Sequence, residues 1–241
     1  MAWAGIVWDS DAADEWRECE IKTRVLTQPA RQFDLIESIV WTPDEGYFLL
    51  DRHLARLAES AEYFNIPIDL PAIQDQLLTL GATLAPAAQK VRVNVTQRGR
   101  VSIAATPLSE IPLPPLMRVK LAVQPIDSGN IFLYHKTTVR DVYAAARANQ
   151  PDCDDVILWN ERGEITESTI ANVVVELNGQ RCTPPLDCGL LPGTFRADLI
   201  ERGLIQERVI LKEELFAATH IWLINSVRGW LEGQLTMTND K

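Results

Sequence analysis

The segment LYHKTTVRD, residues 133–141, contains a lysine that could carry covalent chemistry. Lys136 follows the apolar residues IFLY, a run that the pattern predicts to be extended. A primary amine attacks a carbonyl group only when it is uncharged, and burial or nearby positive charge lowers its pKa enough to allow this at neutral pH. A lysine after a strand is most often a surface cation, so this interpretation needs support from other residues.

A carboxylate in a strand-like segment is the second candidate. Glu167 lies in GEITESTIANVVV, among apolar and hydroxyl-bearing residues. Burying a carboxylate without a partner costs free energy, so a buried glutamate here predicts a cationic partner. A protonated pyridine nitrogen is such a partner, because the ion pair keeps the ring electron-withdrawing. The alternative is a glutamate on the exposed face of a strand.

Three further segments contain groups that bind anions. In LLPGTFRADLI a Pro-Gly turn leads into a helix, whose first N–H groups, at Thr194 and Phe195, form a site suited to a phosphate ester. Ser226, in LINSVRGW, could complete this site. Arg56 lies on the polar face of a predicted helix and could grip phosphate with two donors. Taken singly, each is as easily an ordinary helix start, loop or solvated arginine.

The first half of the chain predicts the elements that position Arg56. FDLIESIVW and GYFLL are typical of two strands joined by the turn residues TPDEG. Apolar spacing predicts a helix in LLDRHLARLAESAEYFNIP, capped by Asp51 and ended by Asn65. A second helix is predicted over residues 71–84, followed by the hairpin VRVNVTQ–RGR–VSIAAT.

A proline-rich segment, PLSEIPLPPL at residues 107–116, predicts a linker because proline removes backbone donors and fixes φ. Beyond it we expect the strand MRVKLAVQPI, a helix from about 138 to 149, three strands in VILWN, ITEST and ANVVVEL, and the strand and loop of ATHIWLINSVRGW. The pattern indicates an α+β protein with a smaller domain at 29–112 and a larger one at 113–241, preceded by a tail at 1–28.

Composition excludes several classes of function. The chain has 241 residues and a formal net charge of −10, which argues against nucleic acid as a partner. It contains no apolar run long enough for a membrane span, and its first residues lack the features of a signal peptide. Four cysteines without C-x-x-C spacing and three scattered histidines predict neither a metal site nor a disulfide framework. We therefore expect a cytoplasmic protein whose anionic ligands are held by local cations.

Together and in this order, HLARLAESA, YHKTT, ITESTIANV, LPGTFR and NSVRGW resemble the class IV aminotransferases, the fold-type IV enzymes that include D-amino-acid aminotransferase. The resemblance covers about residues 30 to 241. It implies pyridoxal 5′-phosphate as cofactor, Lys136 as the Schiff-base lysine and Glu167 as the partner of the pyridine nitrogen. It also implies that the cofactor phosphate is bound by Arg56, in the H-x-x-R-L pattern, and by Thr194, Phe195, Ser226 and Val227.

Within this family, the HKTT and INSVRGW segments look like 4-amino-4-deoxychorismate lyase, which forms 4-aminobenzoate, a folate precursor, and pyruvate. A branched-chain or D-amino-acid aminotransferase is the alternative activity, and a non-catalytic interaction module is a third reading. Arg140 and Arg228 are candidates for binding the carboxylates of a small anionic substrate, and His135 is a weaker candidate for lining the site. The resemblance also implies a homodimer.

Residues 1–28 form a tail that, on pattern alone, reads as an amphipathic helix. Its segment AGIVWDSDAADEWRECEIKTR resembles the C-terminal end of the chorismate-binding synthase that makes aminodeoxychorismate. This implies a lyase fused or functionally coupled to such a synthase; the rest of a chorismate site is missing, so no metal binding is predicted.

The sequence departs from the pattern of the class IV family in one segment. Before the first long strand it reads PARQFDLIES, which lacks the Gly-Asp-Gly turn of many stand-alone members.

Overall fold

The computed structural model describes residues 31–236, so the tail predicted at 1–28 lies outside the described residues. The chain from Phe33 onward forms one compact unit that contains helices and two β-sheets, which confirms the predicted α+β class. None of the helices in this part of the chain has the length and apolar character needed to cross a membrane.

The smaller sheet is formed by the first half of the described chain and is antiparallel, in the order β2-β1-β3-β4. Its strands are β1 (Asp34–Thr42), β2 (Gly46–Tyr47), β3 (Gln89–Thr96) and β4 (Val101–Pro107). In β3 the valines at 91, 93 and 95 are buried in the core, because successive side chains of a strand point to opposite faces. Lys90 and Arg92 therefore lie on the other face of the sheet.

Two helices cover the apolar face of this sheet, α1 (Leu50–Tyr63) and α2 (Leu70–Gly81). The predicted stripe of α1 is confirmed, since Leu54, Leu57 and Ala61 pack in the same core as the valines of β3. The predicted cap was wrong: Asp51 lies inside the first turn, and the N-cap is Leu49, in the left-handed region without a side-chain hydrogen bond.

The proline-rich segment carries the chain from the smaller sheet to the larger one without forming a strand of its own. β4 ends at Pro107 and β5 begins at Leu116, with one short 3₁₀ helix, Leu108–Glu110, between them. A division into two domains at residue 112 stays a prediction.

The larger sheet has the order β10-β9-β8-β11-β12-β5-β6-β7, and β7 also pairs with β8, so that six of its strands close into a ring. Its apolar core includes Val119, Ile157, Val173 and Leu223. The strands are β5 (Leu116–Leu121), β6 (Asp155–Trp159), β7 (Ile165–Ser168), β8 (Asn172–Leu177), β9 (Gln180–Thr183), β10 (Gln206–Glu207), β11 (His220–Asn225) and β12 (Gly229–Leu235).

Two helices flank this sheet, α3 (Asp141–Asn149) and α4 (Thr194–Glu201). The extended run predicted before Lys136 was wrong, because Ile131–Leu133 form a 3₁₀ helix. The HKTT segment instead runs beside β1: the carbonyl oxygen of Lys136 accepts a hydrogen bond from the N–H of Ile36 at 2.9 Å. The lysine is thus fixed where the two halves of the fold meet.

Gly99, in the turn between β3 and β4, adopts φ +75°, and an added Cβ would lie 2.2 Å from the carbonyl oxygen of Pro67. We predict that Gly99→Ala destabilises the protein by about 3 kcal/mol, because left-handed strain adds to the backbone clash. Gly163→Ala is the control, since it has a similar φ of +77° with nothing within 4 Å, and we expect a loss of about 1 kcal/mol. Urea unfolding measures both; equal losses would contradict the proposed clash.

Candidate active site

A cavity of about 490 Å³ lies where the two sheets, the HKTT segment and the start of α4 meet, a size typical of small-molecule sites. Nine of the ten residues predicted from the sequence line it: Lys136, Glu167, Arg56, Thr194, Phe195, Ser226, Val227, Arg140 and Arg228. The tenth, His135, does not. Its Nδ1 lies 3.0 Å from Ser60 Oγ and its ring packs on Tyr63 and Phe64, so His135 is a packing residue beside the site.

Lys136 extends into this cavity from a backbone that is fixed against β1. Burial lowers the pKa of its amine to about 8, with a further contribution from the positive charge of Arg56, while Glu37 and Glu167 oppose the shift. A lysine with a pKa near 8 is uncharged in a useful fraction of molecules at neutral pH. The amine can therefore act as a nucleophile and as a proton acceptor.

Glu167 is 4% exposed and accepts a hydrogen bond from the hydroxyl of Tyr143 at 2.6 Å. Burial raises the pKa of its carboxyl group to about 7, although the hydrogen bond from Tyr143 and the charges of Lys136 and Arg140 oppose this. Burial and Glu167 in turn raise the pKa of Tyr143 well above its usual value. A carboxyl group in this position gains stability from a cationic partner in the cavity.

Arg56 is buried and makes two hydrogen bonds with Glu37: Nε donates to Oε1 at 2.9 Å and Nη2 donates to Oε2 at 2.7 Å. Its Nη1 donates to the carbonyl oxygen of Pro192 at 3.0 Å, which links α1 to the turn before α4. Burial alone would raise the pKa of Glu37, but the charge of Arg56 and hydrogen bonds from His53 and Arg56 outweigh it and lower that pKa to about 2.

His53 connects this ion pair to α4. Its Nδ1 lies 2.7 Å from Glu37 Oε2, and its Nε2 lies 3.2 Å from Thr194 Oγ1. Burial lowers the pKa of His53, which favours the neutral ring. A neutral ring that donates from Nδ1 to the carboxylate accepts at Nε2 from the hydroxyl of Thr194, an assignment that follows from the hydrogen-bond network.

The start of α4 forms one wall of the cavity, and Asn172 holds this segment in place. Asn172 Nδ2 donates to the carbonyl oxygen of Leu191 at 2.9 Å, and an added Cβ at Gly193 would lie 1.9 Å from Asn172 Oδ1. The backbone of Thr194 and Phe195 thus reaches the cavity at a helix N-terminus, which favours an anion.

The loop after β11 forms another part of the wall. Ser226 Oγ lies 3.5 Å from the carbonyl oxygen of Ser38, and the N–H groups of Val227 and Arg228 donate to Asn225 Oδ1 at 3.0 and 2.9 Å. The amide of Val227 that the resemblance assigned to phosphate is therefore already hydrogen-bonded within its own loop. Val227 nevertheless lines the cavity.

The two arginines predicted to bind substrate are held by backbone carbonyl groups. Arg140 donates to the carbonyl oxygen of Thr169, and its guanidinium lies 4.3 Å from the ring centroid of Tyr143. Arg228 donates to the carbonyl oxygen of Ile111, in the proline-rich segment. Neither forms an ion pair within residues 31–236, so both are available to a carboxylate in the cavity.

Sequence reasoning missed five residues that shape the site: Glu37, Tyr143, Asn172, Lys90 and Arg92. A signal existed for Glu37, which interrupts the apolar strand DLIESIVW in the way that Glu167 interrupts its own segment. No comparable signal marks Tyr143 or Asn172, because their roles follow from contacts with residues distant in the chain.

Comparison with known proteins places the chain in a family: residues 34–234 match the model described as "Amino-transferase class IV", and the chain belongs to this family. A "Putative aminodeoxychorismate lyase" of Schizosaccharomyces pombe (strain 972) is 32% identical over 209 residues, 82% of this chain and 88% of that protein. A "Probable branched-chain-amino-acid aminotransferase" of Thermotoga maritima is 31% identical over 191 residues, 76% of this chain and 70% of that protein.

A solved structure, described as a "Putative amino-acid aminotransferase" from Mesorhizobium loti, matches with a TM-score of 0.78 and 36% identity, covering 85% of this chain and 100% of that one. This confirms the predicted fold-type IV architecture. The family depends on pyridoxal 5′-phosphate. The residues present fit this cofactor, because the cavity offers a lysine of lowered pKa, a buried carboxyl group that gains from a cation, and an arginine beside a helix N-terminus.

The low pKa of Glu37 makes stability depend on pH. A carboxyl group whose pKa falls from 4.5 to about 2 on folding stabilises the protein above pH 4.5, and this contribution is lost as the pH falls towards 2. We predict that Glu37→Gln lowers the free energy of unfolding by about 3 kcal/mol at pH 7, because it leaves Arg56 buried without its charge partner. The difference from wild type should shrink between pH 4.5 and 2.

Urea unfolding at pH 7, 4.5 and 3 measures this difference. Glu45→Gln is the matched control, since Glu45 is exposed in the turn between β1 and β2, and it should behave as wild type at each pH. A gap between wild type and Glu37→Gln that stays constant down to pH 3 would show that the ion pair is not the source of the pH dependence.

Proposed function

We propose that the protein is a pyridoxal-phosphate-dependent lyase that converts 4-amino-4-deoxychorismate to 4-aminobenzoate and pyruvate, a step in making a folate precursor. The observation that carries the proposal is the charge of the cavity, which is lined by six basic residues and one acidic residue in a chain with net charge −10. Such a cavity suits a substrate with more than one carboxylate. The 32% identity to a relative with this described activity supports the same reading.

When bound, the cofactor supplies a conjugated ring that withdraws electrons from the bonds at the amine-bearing carbon. The uncharged amine of Lys136 takes the proton from that carbon as general base. The C–O bond to the enolpyruvyl group then breaks, the substrate ring becomes aromatic, and the released enolpyruvate takes up a proton to give pyruvate. Glu167 would keep the pyridine nitrogen protonated, and Arg56 and the first amides of α4 would hold the phosphate.

Arg140 and Arg228 orient the substrate. Both reach the cavity with guanidinium groups that backbone carbonyls hold in place, so little side-chain entropy is lost when a carboxylate binds. The apolar residues Ile111, Pro112 and Leu113 supply a surface against which a carbon ring packs.

An aminotransferase is the second candidate. It is favoured by the 31% identity to a relative described as a branched-chain aminotransferase and by the 36% identity to the Mesorhizobium loti structure. Lys136, Glu167 and Arg56 would have the same roles in that reaction. The two activities differ in consumption of a 2-oxo acid, which only the aminotransferase requires.

The remaining expectations concern the cellular location of the protein and its assembly with other chains. A cytoplasmic location is supported by the free thiols of Cys153, Cys182 and Cys188. Assembly into a homodimer and coupling to an aminodeoxychorismate synthase stay predictions, for which the resemblance of the chain to its family is the support.

Replacing Lys136 tests the enzyme class. We expect Lys136→Ala, incubated with pyridoxal 5′-phosphate, to lack the visible absorbance band of a lysine-bound cofactor and to release no pyruvate from 4-amino-4-deoxychorismate. Lys212→Ala should keep both, since Lys212 lies outside the cavity, over the ring of Trp159. A wild-type enzyme that shows the band but transfers its amine to a 2-oxo acid without pyruvate release is an aminotransferase.

Replacing Glu167 tests its pairing with the ring nitrogen. Glu167→Gln should bind the cofactor but turn over about 100-fold more slowly, because a neutral amide does not stabilise a protonated ring nitrogen. Glu176→Gln, in the neighbouring strand β8 and outside the cavity, serves as the control and should keep the wild-type rate. Comparable rates for the two variants would remove Glu167 from this role.

A further inference from the structure

Lys90 and Arg92 reach the cavity from β3, a strand to which the sequence assigned no function. Their neighbours Val91 and Val93 are fully buried in the core, so the alternation of the strand directs Lys90 and Arg92 to the opposite face, where both line the cavity. Arg92 lies opposite Ser38 of β1, which also lines it. Side chains two residues apart in a strand emerge about 7 Å from one another.

In the part of the chain that the structure describes, these two cations have no acidic partner. Within residues 31–236 neither Lys90 nor Arg92 forms an ion pair, whereas Arg118 and Arg196 pair with carboxylates. The partly buried Lys90 has a lowered pKa, first because of burial and then because of the positive charges of Arg92 and Arg228. The positive charges of Arg92 and Arg228 thus act on Lys90 in the lining of a cavity, in a protein of net charge −10, and an anion bound there would offset this repulsion.

Arg228 joins this group from the loop between β11 and β12. Its hydrogen bond to the carbonyl oxygen of Ile111 holds it beside the proline-rich segment, where Ile111 and Leu113 provide apolar surface. The combination of cations and apolar wall is the chemistry that recognises a carboxylate attached to a hydrocarbon ring or chain.

We propose that Lys90, Arg92 and Arg228 form a carboxylate-binding subsite that selects a dicarboxylate substrate. The inference rests on the proposed function, because it concerns the second anionic group of the substrate in the same cavity. One carboxylate binds at this subsite while the amine-bearing carbon faces Lys136. A branched-chain amino acid has a single carboxylate and an apolar side chain, so it leaves the subsite cations unpaired.

Binding of chorismate to the cofactor-loaded enzyme tests the subsite. Chorismate is a ring dicarboxylate without an amine, so it occupies the cavity without reacting with the cofactor. We expect Lys90→Gln and Arg92→Gln each to raise its Kd about tenfold by isothermal titration calorimetry, as for loss of one charged hydrogen bond. The charge-conserving Lys90→Arg and Arg92→Lys should stay within about threefold of wild type, and circular dichroism verifies that each variant is folded.

Arg98→Gln is the matched control, because Arg98 is an exposed arginine of the same hairpin that does not line the cavity, and it should bind chorismate as wild type does. An unchanged Kd in either glutamine variant, or no binding of chorismate by wild type, overturns the subsite even if pyruvate is released. A tenfold loss in both variants of an enzyme that releases no pyruvate supports the subsite and overturns the proposed reaction instead.

Discussion

The buried ion pair between Glu37 and Arg56 is the interaction on which the rest of the site depends. Taking both charges out of water is costly, and paired hydrogen bonds between the guanidinium fork and the carboxylate offset that cost. A guanidinium has five N–H donors, and the contacts with Glu37 and Pro192 use three. Two donors therefore remain for an anion, held by an arginine that has already lost its side-chain freedom.

The same ion pair fixes the spatial relation between elements that are far apart in the chain. Glu37 belongs to β1, Arg56 and His53 to α1, and the contacts of these two side chains with Pro192 and Thr194 reach α4. β1 also receives the HKTT segment through the hydrogen bond between Ile36 and Lys136. Strand β1 thus positions both Lys136 and the anion site, so a shift of that strand would move both together.

Most of the residues that the sequence proposed for a site line one cavity, because each lies in a short motif whose order along the chain is informative. Lys136, Glu167 and Arg56 all line one cavity, as expected. The predictions that were wrong concern local geometry, which tertiary contacts determine. Ile131–Leu133 form a 3₁₀ helix, and His135 packs on Tyr63 outside the cavity.

Residues whose partners are distant in the chain could not be found from the sequence. Glu37 has a role only because α1 packs on the sheet and brings Arg56, which lies 19 positions later in the chain, within hydrogen-bonding distance of it. The alternation of β3 places Lys90 and Arg92 on one face, but whether that face meets solvent or a cavity depends on how the larger sheet is placed. Strand β12 was missed because NSVRGW reads as a loop, and its pairing with β5 joins segments more than a hundred residues apart.

The distribution of charge in the cavity bears on which reaction this scaffold supports. An aminotransferase binds two substrates in turn, and both must satisfy the same polar groups. A lyase binds one substrate and can dedicate each cation to one of its anionic groups. Lys136 reacts as an uncharged amine, and Arg56 is already paired with Glu37. The four other basic residues of the cavity carry one more positive charge than the phosphate and a single carboxylate neutralise; they are Lys90, Arg92, Arg140 and Arg228. A substrate with a second carboxylate removes this excess, which is the physical reason to favour the lyase over an enzyme for branched-chain amino acids.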